Sequence, residues 1–256
     1  MKFIFGANSD IGNSRKLQED YVMVKEYPKG NIQEGDSDIL AVVADGTGTS
    51  DDRLQPAVLA VSTIMDSIDY IKNESDLFNK NPLFFLKKAM LEANNILGTL
   101  KIANEEFYSG YAASISLLYM TSEGRIYYAH AGNTRIYLLR QGNLIQMTED
   151  HTVAQQKIDN GEEINYYLSS DRLKMTNGIG LVADPLIYCN EGNIKTNDII
   201  IMTSDGIHYA IQPEYITNII LESEDPISAA TNLVNASKDV VQYPDNASAI
   251  IIAERK

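Results

Sequence analysis

Strands in blocks and helices in pairs predict an α+β protein with antiparallel sheet, not a doubly wound parallel fold. Three observations carry that expectation. Short apolar, β-branched and aromatic runs between residues 113 and 147 are broken only at Glu123-Gly124 and Gln141-Gly142. This pattern reads as consecutive antiparallel strands in a meander. Two amphipathic helical patterns precede that block. Two more helices follow Pro213 and Asp225-Pro226, flanked by apolar strands at 199–202 and 249–252.

Taken in order, Glu19-Asp20 precedes a short strand, Tyr21-Val22-Met23-Val24, and the apolar strand Leu40-Ala41-Val42-Val43-Ala44 runs into Asp45-Gly46. The first helix opens at Pro56 and carries Val58, Val61, Ile64, Met65, Ile68 and Ile71 at helical spacing. The second has Asn81 as N-cap, Pro82 in its first turn and Leu83, Leu86, Met90, Ala93 and Leu97 on one face, with Gly98 as its expected stop. Both suit amphipathic helices lying on a sheet. No linker, low-complexity run or repeat interrupts the chain, so residues 1–256 are expected to form a single domain.

The 256 residues are 44% hydrophobic and 22% charged, which excludes disordered, collagenous and coiled-coil chains. Thirty-five acids against 21 bases give a net charge of −14. Such a surface repels phosphate backbones and anionic lipid, so neither nucleic acid nor membrane is an expected partner. The single cysteine, Cys189, cannot form an intramolecular disulfide and has no Cys or His neighbour at metal-ligand spacing. It is expected to be a buried small apolar residue in a cytoplasmic protein. The apolar run at 1–6 is too short for a signal peptide, and no stretch nears 18 apolar residues.

Carboxylates recur beside strands. Asp45-Gly46 follows one, Thr203-Ser204-Asp205-Gly206 follows another, Asp245-Asn246 precedes the last, and Arg15 lies four residues before Glu19. A strand end fixes a carboxylate's direction, and a following glycine lets a backbone carbonyl approach a cation. Asp-Gly alone is a common turn signal; the combination points to hard-cation binding.

In order along residues 9–253, these segments resemble the metal-dependent protein phosphatases of the 2C type. Ser9-Asp10-Ile11-Gly12-Asn13-Ser14-Arg15 through Glu19-Asp20 resembles the family's opening motif, and Ala41 to Gly46 its Val-Ala-Asp-Gly strand. Ala129-His130-Ala131-Gly132-Asn133-Thr134-Arg135, with Leu144 to His151, resembles its Val-Gly-Asp-Ser-Arg hairpin and Leu-Thr-x-Asp-His. Asn197-Asp198 through Ser204-Asp205-Gly206, then Asp245-Asn246, resemble the last two motifs. The resemblance implies a four-layer α/β/β/α sandwich of two antiparallel sheets flanked by helix pairs, with a metal centre at one end and a flap-like segment near 152–180.

It also implies a stand-alone bacterial-type enzyme that hydrolyses phosphoserine and phosphothreonine in proteins by attack of a water bound to two Mg²⁺ or Mn²⁺ ions. Asp45 is the implied bridging ligand beside the Gly46 carbonyl, with Asp205 and Asp245 completing one site and Glu19 or Asp20 serving the second. Arg15 is implied to clamp the substrate phosphate, a task its planar fork suits. Expected partners are a phosphoprotein substrate and a cognate serine/threonine kinase, with the enzyme itself a monomer. His130 and His151 read as structural hydrogen-bonders. The chain departs from the family pattern in three places. Thr47 stands where many members have a His, the loop 47–53 lacks the usual glycine-rich turn, and Asn133 replaces an Asp that is implied to hold a third, weaker cation. These departures keep open a catalytically weak relative that binds and regulates a phosphoprotein. A calcium-binding β protein ranks last, because no compact calcium-loop pattern is present.

Overall fold

The computed structural model describes residues 1–12, 15–29, 36–48, 54–239 and 245–255, without the side chain of Tyr167. Asn13 and Ser14 of the opening motif, and Thr49 to Arg53 of the altered loop, lie outside the described residues. Among the described residues, ten strands form two five-stranded antiparallel sheets. One is ordered β2 (Asp20–Pro28), β3 (Ser37–Thr47), β4 (Ala112–Met120), β5 (Arg125–Ala131), β8 (Tyr188–Asn193). The other is ordered β1 (Phe3–Asp10), β10 (Ala247–Glu254), β9 (Ile199–Thr203), β6 (Arg135–Arg140), β7 (Asn143–Gln146).

Helices α1 (Pro56–Glu74) and α3 (Pro82–Ala103), joined through the short α2 (Leu77–Lys80), cover the first sheet; α4 (Glu105–Tyr108) follows them. Helix α5 (Val153–Asp159) lies between the sheets in sequence, while α6 (Asp205–His208), α7 (Pro213–Glu222) and α8 (Pro226–Lys238) cover the second sheet. The result is the four-layer sandwich that the resemblance implies.

Period-2 alternation explains the layering. On β3, Leu40, Val42 and Ala44 pack under α1 and α3, while Ile39, Ala41 and Val43 face the other sheet. On β9, Ile200 and Met202 face inward and Ile201 packs under the second helix pair. Sheets buried on both faces read as continuous apolar runs. Each fully buried Ile or Leu contributes about 1.5–3 kcal/mol. The helices are anchored as expected: Asn81 Oδ1 caps the Phe84 N–H, and Asp225 forms a capping box with Ser228 at the start of α8.

Three expectations are corrected. Residues 113–147 are not one meander, because β5 and β6 belong to different sheets and the turn at 132–134 crosses between them. Gly132 makes that crossing at φ +119°, where a Cβ would lie 2.3 Å from Ser114 Oγ. Helix α3 does not stop at Gly98 but runs to Ala103. The buried Leu97 and a hydrogen bond from Lys101 to the Gly180 carbonyl hold the last turn against a glycine penalty of about 1 kcal/mol. Cys189 lies on β8 half-buried, packed against the rim of the helix-side core.

Candidate metal centre

At one end of the sandwich, the inward-facing pattern turns from apolar to polar on every central strand. On β3 the series Ile39, Ala41, Val43 ends in Asp45; on β2, Val24 and Val22 give way to Asp20; on β4, Met120 and Leu118 to Ser116 and Ser114. On β5, Ile126 and Tyr128 give way to His130, and on β10, Ile252 and Ile250 to Ser248. Ser204 continues β9 in the same way. The register aligns these positions: Asp20 opposes Asp45, Asp45 opposes Ser114, and Ser116 opposes His130. A polar floor between two sheets is thereby built from six strands.

The candidate residues gather at this floor. Asp20 Oδ2 accepts from Ser204 Oγ across the sheets at 2.6 Å, and Ser204 Oγ accepts from the Ser248 N–H at 3.0 Å. Asp205 opens α6 and accepts from Asn133 Nδ2 at 2.9 Å. Gly46 N–H donates to the Glu19 carbonyl at 3.0 Å, and a Cβ at Gly46 would stand 2.9 Å from that oxygen. Arg15 at the rim donates to Asp245 Oδ2 at 2.8 Å and lies 3.9 Å from Glu19. It pairs with both acids rather than with Glu19 alone.

The side chains of Asp45 and Asp205 interact directly, which raises the Asp45 carboxyl and lowers that of Asp205. Among the described residues, no three Asp, Glu, His or Cys groups close into a ready cation cage. The carboxyls are tied instead to Ser204, Asn133, Arg15 and each other.

The electrostatics follow from burial. Asp45 is pushed well above the usual carboxylate range, first by burial and then by the charges of Asp205, Asp20 and Asp245. Burial pushes Asp205 up to about 7, reinforced by Asp245 and Asp20 and opposed by hydrogen bonds from Asp45 and Asn133. Asp20 also rises to about 7, chiefly by burial and against its serine hydrogen bonds. Arg15 is held more firmly protonated by its hydrogen bond to Asp245. The group therefore carries more buried negative charge than its neighbouring cation compensates. Its donors are carboxylate oxygens gathered at one buried end of the sandwich. These residues fit hard divalent cations.

Several residues beside the cluster were not singled out as functional in the sequence. Asn246 is 3% exposed: its Oδ1 accepts the Glu19 N–H at 2.7 Å, and its Nδ2 donates to the Ile11 and Leu17 carbonyls. It staples the segment bearing Arg15 and Glu19 to the last strand. The signal that marks Ser114, Ser116 and Ser248 is the period-2 switch from apolar to polar residues. His130 bonds Ser116 and the Glu149 carbonyl, and burial pushes it down to about 4. His151 Nδ1 accepts from the Gly132 N–H and Asn177. Both are structural, as expected. Arg135 makes a buried two-pronged pair with Asp150, both bonds 2.7 Å.

Residues 55–157 match the family Protein phosphatase 2C. The chain is similar to protein phosphatase PhpP of Streptococcus pneumoniae, 22% identical over 246 residues that span 94% of this chain and 91% of that one. In fold it is similar to the Mycobacterium tuberculosis serine/threonine phosphatase PstP/Ppp, with a TM-score of 0.79 at 19% identity over 100% of both chains. It is also similar to the PstP catalytic domain in complex with two manganese ions, with a TM-score of 0.75 at 19% identity over 98% and 97% of the two chains. Over residues 55–157 the chain thus carries a protein phosphatase 2C match, and over nearly its whole length it is similar to bacterial protein serine/threonine phosphatases in sequence and fold.

Proposed function

We propose that this chain removes phosphate from phosphoserine and phosphothreonine in proteins at the polar end of the sandwich, using two divalent cations, Mg²⁺ or Mn²⁺. The observation that carries the proposal is the convergence of Asp20, Asp45, Asp205 and Asp245 at one inter-sheet end with Arg15 as their cationic neighbour. Asp45, with the Gly46 carbonyl beside it, would bridge the cations, Asp205 and Asp245 would complete one site, and Glu19 or Asp20 would serve the other. Cations held there supply Lewis acidity and bring water toward a neutral pKa for attack on phosphorus. Two manganese ions in PstP support this count.

The chain's own residues have separable tasks. Arg15, with about half of its side chain exposed, is placed to bind two phosphate oxygens once it leaves Asp245. Asn246 fixes the backbone that presents Arg15 and Glu19. The hydroxyl of Ser204 keeps one Asp20 oxygen turned toward the opposite sheet.

A regulator that binds a phosphoprotein without turnover is not favoured, because a binding module has no physical use for so many buried like charges. Residues 1–256 would act as one catalytic domain with a flap near 152–180, as a cytoplasmic monomer opposing a serine/threonine kinase. The single half-buried cysteine supports a reducing compartment. Among the described residues, no helix is long and apolar enough to cross a membrane. Phosphate release from a phosphothreonine peptide and from an aryl phosphate, with and without Mn²⁺, tests the proposal. Metal-dependent release from both is expected; tight peptide binding without release would reverse the choice between enzyme and regulator.

A further inference from the structure

We propose that Asn133 is a positioning residue that pins the carboxylate of Asp205 from the neighbouring turn before β6, and that Ser114 on the other sheet aims it; this rests on the metal centre proposed above.

Asn133 sits on the turn that carries the chain from one sheet to the other and is only 3% exposed. Its Nδ2 donates to Asp205 Oδ2 at 2.9 Å. A carboxylate oxygen accepts, so the amide nitrogen faces it and Oδ1 is turned into the protein, where it finds no partner. An unpaired buried oxygen lowers stability. Such an arrangement persists when something fixes the side chain's direction.

That constraint is a hydroxyl clamp. Ser114 Oγ accepts the backbone N–H groups of both Asn133 and Thr134 at 2.7 Å and donates to Thr134 Oγ1 at 3.0 Å. Gly132, at φ +119°, lets the turn lie against Ser114 where no other side chain fits. On the far side, the Gly132 carbonyl accepts the His151 N–H at 2.7 Å. The turn is thus held from both sides, and the Asn133 side chain meets Asp205 at the end of the adjacent strand β9. A partner that orients a ligand carboxylate typically changes metal affinity ten- to a hundredfold when lost.

The test is a calorimetric Mn²⁺ titration of the purified protein without substrate, alongside the Tm of the chelator-treated protein. Asn133→Leu, close in size but unable to donate, should bind Mn²⁺ about tenfold or more weakly while the metal-free Tm is unchanged or raised. Asn133→Ser, too short to reach Asp205, serves as the second variant should leucine prevent folding, and the same loss is expected. Ser114→Ala should weaken Mn²⁺ binding in the native background but not in the Asn133→Leu background, because it acts through Asn133. Wild-type affinity in both Asn133 variants, a lowered metal-free Tm as the only effect, or additive losses in the double variant would each overturn the proposal. A wild-type protein that binds no Mn²⁺ contradicts the metal centre itself, and the proposal with it.

Discussion

Asp20 and Asp45 stand directly opposite each other across the β2–β3 ladder, both aimed into the layer between the sheets. Like charges in that relation cost up to about 1 kcal/mol even on a solvated sheet, and here both are buried. Ser204 bonds one of them from the other sheet. Burial and the neighbouring carboxylates push both acids of this pair toward the protonated form.

A pH dependence follows. Burial pushes Asp20 and Asp205 up to about 7 and holds Asp45 well above the ordinary carboxylate range. Folded-state values above the unfolded ones give stability that is fully present below about pH 4 and is lost as pH rises through about 7. In excess chelator, Tm should fall across that window; with saturating Mn²⁺ the fall should be abolished and protons should be released on binding. A chelated Tm that rises from pH 5 to 7 would contradict the assigned directions.

Removing one ligand charge should separate catalysis from stability. Asp45→Asn and Asp205→Asn should each lower kcat by more than about a hundredfold, beyond what loss of an outer-sphere partner costs. Both should leave the metal-free Tm unchanged or higher, because like-charge repulsion is relieved. Steady-state kinetics and thermal melts of the same preparations check this, and near-native turnover in both variants would move the site elsewhere.

Arg15 should behave differently. Arg15→Ala should raise KM for phosphopeptide and weaken inhibition by phosphate and vanadate, with Mn²⁺ affinity equal to or above native, since the Asp245 oxygen it occupies is freed. Lost Mn²⁺ affinity with an unchanged KM would make Arg15 a support for Glu19 and Asp245.

Asn246→Ala leaves the Glu19 N–H and two carbonyls without their partner. Stability should fall by about 2–3 kcal/mol, a Tm decrease of roughly 5–10 °C for a chain of this size. KM should rise as in Arg15→Ala, since Asn246 fixes the segment that presents Arg15. An unchanged KM would confine Asn246 to a structural role.

Much of the architecture was legible because the central strands are apolar on both faces and the helices are capped by Asn81-Pro82 and Asp225-Pro226. The α+β class and the acids at strand ends follow from those residues. Two features were hidden. The Gly132–Thr134 crossing was one, because a glycine turn between two apolar runs looks the same whether the next strand pairs with its neighbour or leaves for another sheet; only the partner strands, β8 and β9, decide it. Asn133 reads alike as a turn cap or a weak ligand, and its bond to Asp205, 72 residues away, has no local trace. The polar switch at Ser114, Ser116 and Ser248 was present in the sequence as alternation, but its meaning depends on which ends of the strands coincide.

Soaking crystals of the protein in Mn²⁺ and recording anomalous scattering at the manganese edge tests the metal centre most directly. Two peaks are predicted at the polar end of the sandwich, both within coordination distance of Asp45, one also reaching Asp205 and Asp245 and the other Glu19 or Asp20, directly or through water. An active protein whose manganese peaks lie away from Asp45 would contradict that assignment.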